Sequence, residues 1–148
     1  MSSTRSPGTG GAGSPAKAVT LKILVVDDSL LAHEVMKHKL SILTHDYRLE
    51  ACHVRSGEEA LERIQAASYD IVFLDVEMPG LSGHDACRQI KAHSRKTRVA
   101  MLSGLLAPAD RERAFSAGCD HYLEKPPKEQ VLQAVVRVAG LRKELYAD

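Results

Sequence analysis

Five polar positions interrupt otherwise apolar runs, and their types suit phosphoryl chemistry. Asp27-Asp28 ends the run Val19 to Val26, Asp75 ends Ile71-Val72-Phe73-Leu74, Ser103 ends Val99 to Leu102, and Lys125 follows His121-Tyr122-Leu123-Glu124. Three carboxylates drawn into one cleft repel each other and raise a pKa strongly unless a cation sits between them. Mg²⁺ is a hard ion that takes oxygen ligands, keeps several waters and needs only one or two carboxylates. Asp28 and Asp75 suit direct coordination, with Asp27 acting through water. Lys125 then offers a point charge to a phosphoryl oxygen, Ser103 a hydroxyl donor, and Gly104 no side chain to obstruct an incoming group. Positioning and charge neutralisation account for most of phosphoryl transfer. Asp75 is the expected nucleophile, forming an acyl phosphate.

The elements that must position these groups are legible in the apolar pattern. Short β-branched runs of strand length alternate with longer stretches of helical spacing. Strands are expected at Val19–Val26, Arg48–Val54, 71–75, Val99–Leu102 and His121–Leu123. Helices are expected between and after them. The first runs over Leu30–Leu43, with Leu31, Val35, Met36, Leu40 and Leu43 as its apolar stripe and His33 off it. Ser29 or Asp28 can cap that helix, and Pro108 suits a first helical turn. The last helix starts near Lys128 and carries Val131, Leu132, Val135, Val136 and Val138. Strict strand-helix alternation implies right-handed crossovers and helices on both faces of a parallel sheet. The expected fold is α/β: a flavodoxin-like, doubly wound, five-stranded parallel sheet in the order 2-1-3-4-5 with five helices. In such sheets ligands bind beyond the carboxyl ends of the strands, where all five polar positions fall.

Composition narrows the function classes. The chain has 148 residues, 44% hydrophobic and 26% charged, with a net charge of +1. That length suits one domain with a full core. Near-neutrality gives no electrostatic reason to expect nucleic acid or a membrane as partner. No apolar run approaches the ~18 residues of a membrane span, and the N-terminus lacks the apolar segment of a secretory signal. Cys52, Cys87 and Cys119 stand singly, which argues against a disulfide framework or zinc site, so a cytoplasmic location is expected. The histidines show no ligand spacing and are expected at solvated or cap positions. Residues 1–18, rich in Gly, Ser and Pro, are expected to be a disordered leader, and residues 19–148 the folded domain.

The combination resembles a receiver domain of the bacterial two-component response regulators, of the single-domain, chemotaxis-regulator-like kind. The matching pieces are Asp27-Asp28, Asp75 with Met78-Pro79 and Gly83, Ser103-Gly104, Gly118-Cys119-Asp120-His121-Tyr122 and Lys125-Pro126, over about residues 20–142. The resemblance implies that Asp75 accepts a phosphoryl group from a histidine kinase or histidine phosphotransfer protein. Asp27 and Asp28 would form the Mg²⁺ site with Asp75 and the backbone carbonyl of Glu77. Ser103 and Tyr122 would be the switch pair, and Ser103, Gly104 and Lys125 would bind the phosphate. On phosphorylation Ser103 would move toward it, Tyr122 would swing into the vacated space, and the surface of helix 4, strand 5 and helix 5 would change for a downstream protein target. Met101, Leu105, Leu106, Tyr122 and Lys128 are expected near that surface. The implied role is signalling, with catalysis only of the domain's own phosphorylation and dephosphorylation. Ser103 stands where threonine is commoner, Cys119 where alanine is common, and the segment around Thr44–Tyr47 is long for the family.

Other readings stay open on sequence alone. Asp27 and Asp28 could be a helix-cap pair, and Ser103 a turn residue. Glu77, two residues past Asp75, could serve as the acid/base of a Mg²⁺-dependent phosphohydrolase. A binding module without phosphorylation is a third reading. No output domain follows the last helix in this sequence. That fits both a free-standing regulator and a piece of a larger protein, and the start at Met1 favours the former. The Lys125-Pro126 bond could be cis or trans.

Overall fold

The computed structural model describes residues 19–43 and 46–146. The expected leader, residues 1–18, lies outside the described residues, as do Thr44 and His45 of the long segment. Elements alternate through β1 (Val19–Val26), α1 (Leu30–Ser41), β2 (Tyr47–Val54), α2 (Gly57–Ala66), β3 (Ile71–Asp75), α3 (Gly83–His93), β4 (Arg98–Ser103), α4 (Pro108–Ser116), β5 (His121–Glu124) and α5 (Glu129–Tyr146). The five strands pair in parallel in the order β2-β1-β3-β4-β5. This is the doubly wound, flavodoxin-like sheet that the alternation predicts. No helix among the described residues is long and apolar enough to cross a membrane.

Two apolar layers follow from the two-residue period of strand side chains. On one face Leu24, Val26, Val72, Leu74, Val99 and Met101 pack against α2, α3 and α4 through Ile64, Ile90 and Ala114. On the other, Ile23, Val25, Ile71, Phe73, Ala100 and Leu102 meet α1 and α5 through Met36, Leu40, Leu132 and Val136. The central strand β3 is buried along its whole length. A carboxylate at its end is therefore held on rigid backbone.

Three serines start three helices. Ser29 accepts from Ala32 N, Ser56 from Glu59 N and Ser82 from Asp85 N, each satisfying an amide that the first turn leaves unpaired. Of the two candidate caps for α1, Ser29 holds the position. Gly83 sits where a Cβ would come within 2.7 Å of both the Asp75 carbonyl and Val76 Cα. Only glycine lets α3 start this close to the end of β3.

The α1 stripe differs from its expectation. Leu31 is exposed and His33 is buried among the core positions, with Met36 and Leu40. The helix ends at Ser41, and β2 begins one residue early, at Tyr47. Val131 and Val138 of α5 lie at the edge of its buried face and are about a third exposed.

Candidate functional site

The C-terminal sheet edge gathers the groups that the strand ends predicted. Asp75 is the last residue of β3 and Ser103 the last of β4, while Asp27 and Lys125 directly follow β1 and β5. Asp27, Asp75 and Ser103 are buried, and Asp28 is exposed. Asp27, Asp28 and Asp75 each place a carboxylate oxygen within 4.8 Å of the others. Lys125 Nζ lies 2.8 Å from Asp27 Oδ2 and 3.2 Å from Asp75 Oδ2, and so bridges the two buried acids. Their other oxygens accept backbone amides: Ser29 N to Asp27 Oδ1 at 2.9 Å and Glu77 N to Asp75 Oδ1 at 3.1 Å. The Lys125-Pro126 peptide is cis. A Cβ at Gly104 would meet nothing within 4 Å, so the approach past it is open.

Burial pushes the Asp75 carboxyl up to about 6, and the charge of Asp27 adds to the effect. The charge of Lys125, its hydrogen bond and the Glu77 amide partly offset it. Burial pulls the Lys125 ammonium down, but its hydrogen bond to Asp27 and the charges of Asp75 and Asp27 outweigh that, so its pKa is raised. The cleft thus holds a lysine that stays charged between two carboxylates, one of them reluctant to ionise.

The donor set fits a hard divalent ion. Adjacent oxygens around Mg²⁺ stand ~3 Å apart and opposite ones ~4 Å apart. Three carboxylates spread over 4.8 Å can supply two direct ligands, with the third reaching the ion through water. Lys125 neutralises part of the same charge, and it approaches from the Oδ2 side of both buried acids.

Ser103 and Tyr122, the two residues expected to form the switch, both bond to the β4–α4 turn. Ser103 Oγ donates to Glu77 Oε2 at 2.6 Å, and Leu105 N donates to Ser103 Oγ at 2.9 Å. Tyr122 is already turned inward and buried, its hydroxyl donating to the Leu105 carbonyl at 2.5 Å. Ser103 and Tyr122 therefore both hold the one residue Leu105. The Arg111 guanidinium lies 5.6 Å from the Tyr122 ring centroid. Of the residues expected near the output surface, Leu105, Leu106 and Lys128 are exposed. Met101 is fully buried because it points into the α3 and α4 layer.

Two supporting groups escape a sequence reading. His33 Nε2 lies 2.8 Å from the Asp27 carbonyl oxygen, and its Nδ1 lies 2.8 Å from His53 Nδ1. A carbonyl only accepts, so Nε2 carries the hydrogen. In the neutral pair His53 is then the donor between the two rings. The spacing of His33 with Met36 and Leu40 contained the signal; the polar residue type concealed it. Arg55 also reaches the rim, donating to the Asp28 carbonyl at 3.1 Å. Its place after β2 is readable, but its contact is not.

Comparison with known proteins finds relatives in sequence and in fold. Residues 23–137 match the profile of the response regulator receiver domain. The transcriptional regulatory protein ResD of Bacillus subtilis is 36% identical over 114 residues, covering 76% of this chain and 45% of ResD. The chain spans about half the length of the curated relatives it matches. The receiver domain of the sensor histidine kinase PA1611 from Pseudomonas aeruginosa, solved with a magnesium ion in its active-site cleft, superposes with a TM-score of 0.69. It is 30% identical, covering 81% of this chain and 97% of that one. The chemotaxis protein CheY4 of Vibrio cholerae shares the fold, with a TM-score of 0.71 at 24% identity over 82% of this chain and 99% of that one.

Proposed function

This chain belongs to the response regulator receiver domain family, and on that premise we propose that Asp75 is its phosphoacceptor, within a receiver unit spanning residues 19–148. Receiver domains of two-component response regulators act as phosphoacceptors and interact with histidine kinases. The observation that carries the assignment here is the Lys125 ammonium bridging Asp27 and Asp75 beside a third carboxylate. A structural strand end has no use for three acids and a lysine in one cleft.

The donor is a phosphohistidine on a kinase or phosphotransfer protein. An Asp75 oxygen attacks phosphorus, forming a P–O bond as the P–N bond breaks. The electron pair stays with the imidazole, which leaves as the neutral ring after taking a proton from water. Hydrolysis later returns the carboxylate and inorganic phosphate. Asp28 and Asp75 would hold Mg²⁺ directly, Asp27 through water, with the Glu77 backbone carbonyl as a further ligand. When bound, the ion supplies charge neutralisation to the phosphoryl oxygens. Lys125 takes one of those oxygens, Ser103 another, and the gap at Gly104 admits the group.

Output follows from Leu105. Ser103 holds its amide and Tyr122 its carbonyl. Drawing Ser103 from Glu77 toward a phosphoryl oxygen shifts the β4–α4 turn and the packing of Tyr122. The face of α4, β5 and α5 then changes for a protein target, a two-state element biased by a local charge. The hydrogen bond between Glu77 and Ser103 supports a part for Glu77 in this switch over a hydrolase's acid/base role. Incubation with acetyl phosphate and Mg²⁺ tests the proposal. The wild type should gain one phosphoryl group by intact mass, while Asp75→Asn or added chelator should prevent it. Equal uptake by the variant overturns the assignment.

A further inference from the structure

The sheet has a second charged edge. At the N-terminal ends of its strands, roughly 16 Å from Asp75 along β3, a cleft of about 590 Å³ opens between Asp70, the start of β4 and the last turns of α5. Its walls carry Lys96, Arg98, Arg142 and Lys143 against a single carboxylate. That carboxylate is already engaged: Asp70 Oδ2 accepts from Lys22 N at 2.8 Å and from Lys143 Nζ at 3.0 Å. Lys143 also donates to the Thr20 carbonyl at 2.6 Å.

The remaining three cations have no such partner. Arg98 Nε donates to His121 Nε2 at 3.2 Å, so that nitrogen carries no proton and the ring is neutral. Burial, and then the Arg98 charge, hold His121 below the usual histidine range. The Arg142 guanidinium lies 5.8 Å from the Tyr146 ring centroid. Among the described residues, none of Lys96, Arg98 and Arg142 makes an ion pair with a carboxylate. Like charges gathered at one cleft repel, and they favour a bound counter-anion. Two guanidinium forks match phosphate oxygens, and a lysine adds a point charge. Tyr146 and the buried Ala139 supply an apolar wall of the kind that takes a flat ring. The volume falls within the range of small-molecule sites.

We propose that this cleft is a second ligand site, for a nucleotide-sized molecule whose phosphates lie on Lys96, Arg98 and Arg142 and whose ring lies beside Tyr146. The site is separate from Asp75 and does not depend on its phosphorylation. Titration calorimetry on the full chain with ADP and with pyrophosphate tests it. EDTA is present throughout, so that no divalent ion can recruit phosphate to the acidic cleft. Amide NMR shifts locate the binding.

ADP should bind at sub-millimolar concentration and shift amides at 96–98 and 139–146, leaving those of Asp27, Asp75 and Lys125 in place. Arg142→Ala and Lys96→Ala, both at exposed positions, should each weaken ADP by roughly tenfold, and Asp75→Asn should leave it unchanged. Pyrophosphate should bind more weakly than ADP, and equal affinity overturns the ring's part in the site. The whole proposal fails if neither probe binds at millimolar concentration, if the shifts centre on Asp75, or if both alanine variants bind like the wild type.

Discussion

Ser103 Oγ donates to Glu77 Oε2 at 2.6 Å, so the hydroxyl proposed to bind the phosphate is held by a carboxylate two residues past Asp75, the proposed acceptor. Phosphorylation must break this bond before Ser103 can turn to a phosphoryl oxygen. Glu77→Ala releases the hydroxyl and removes a negative charge from the cleft mouth. Its rate of phosphorylation by acetyl phosphate should rise about threefold to tenfold, the net size of an ordinary hydrogen bond. An unchanged or slower rate would show that Glu77 is no latch.

Asp75 makes the fold less stable as the pH rises. Its carboxyl is raised in the fold from 3.8 to about 6, by burial first and by Asp27 second. The fold therefore holds this proton more tightly than the unfolded chain does. The resulting stability is fully present below pH 3.8 and is lost as pH rises through 6. Asp75→Asn carries no such loss. In EDTA at pH 7.5 the variant should be more stable than the wild type by about 1–2 kcal/mol after allowance for solvent screening. Urea melts should show the gap closing as the pH falls from 7 to 4. A gap independent of pH would contradict the burial of this carboxylate.

Gly83 is required by backbone on the other side of the contact. A methyl there would meet the Asp75 carbonyl and Val76 Cα at 2.7 Å, and neither is the flexible end of a side chain. Gly83→Ala should cost about 1–3 kcal/mol and should slow phosphorylation, because the displaced atoms are the backbone of Asp75, the proposed acceptor, and of its neighbour Val76. Wild-type melting and kinetics together would contradict this packing.

The Leu105 link predicts a separation of effects. Tyr122→Phe keeps the buried ring and removes the hydroxyl from the Leu105 carbonyl. Stability should fall by about 1 kcal/mol, and phosphate uptake should stay within about twofold of wild type. Amide shifts that normally accompany phosphorylation should weaken at 105–106 and persist at 75–77. Loss of phosphate uptake would place Tyr122 in the chemistry instead of in its readout.

Much of the fold and of the site is legible in the sequence, for physical reasons. Asp27, Asp75 and Ser103 end apolar runs, and Lys125 follows a short one. A polar residue that stops a buried strand marks the sheet edge where ligands bind. Strand-helix alternation likewise left few topologies to choose from. What escaped depends on side-chain direction. His33 occupies a core position of α1 while Leu31 faces solvent, because the Asp27 carbonyl and His53 satisfy the ring there. The Glu77–Ser103 bond joins residues 26 positions apart, with α3 and most of β4 between them, and no periodicity encodes it. The inward Tyr122 follows from a carbonyl presented by the β4–α4 turn, which spacing cannot show.

Chemical trapping of the phosphorylated residue decides whether Asp75 is the phosphoacceptor. Protein treated with acetyl phosphate and Mg²⁺ is reduced with borohydride, which converts an aspartyl phosphate to homoserine, and is then mapped by peptide mass spectrometry. Homoserine is expected at position 75 in the peptide that contains Ile71 to Asp75, with Asp27 and Asp28 unmodified. Homoserine at either of those positions, or none at 75 in protein that has taken up phosphate, would contradict it.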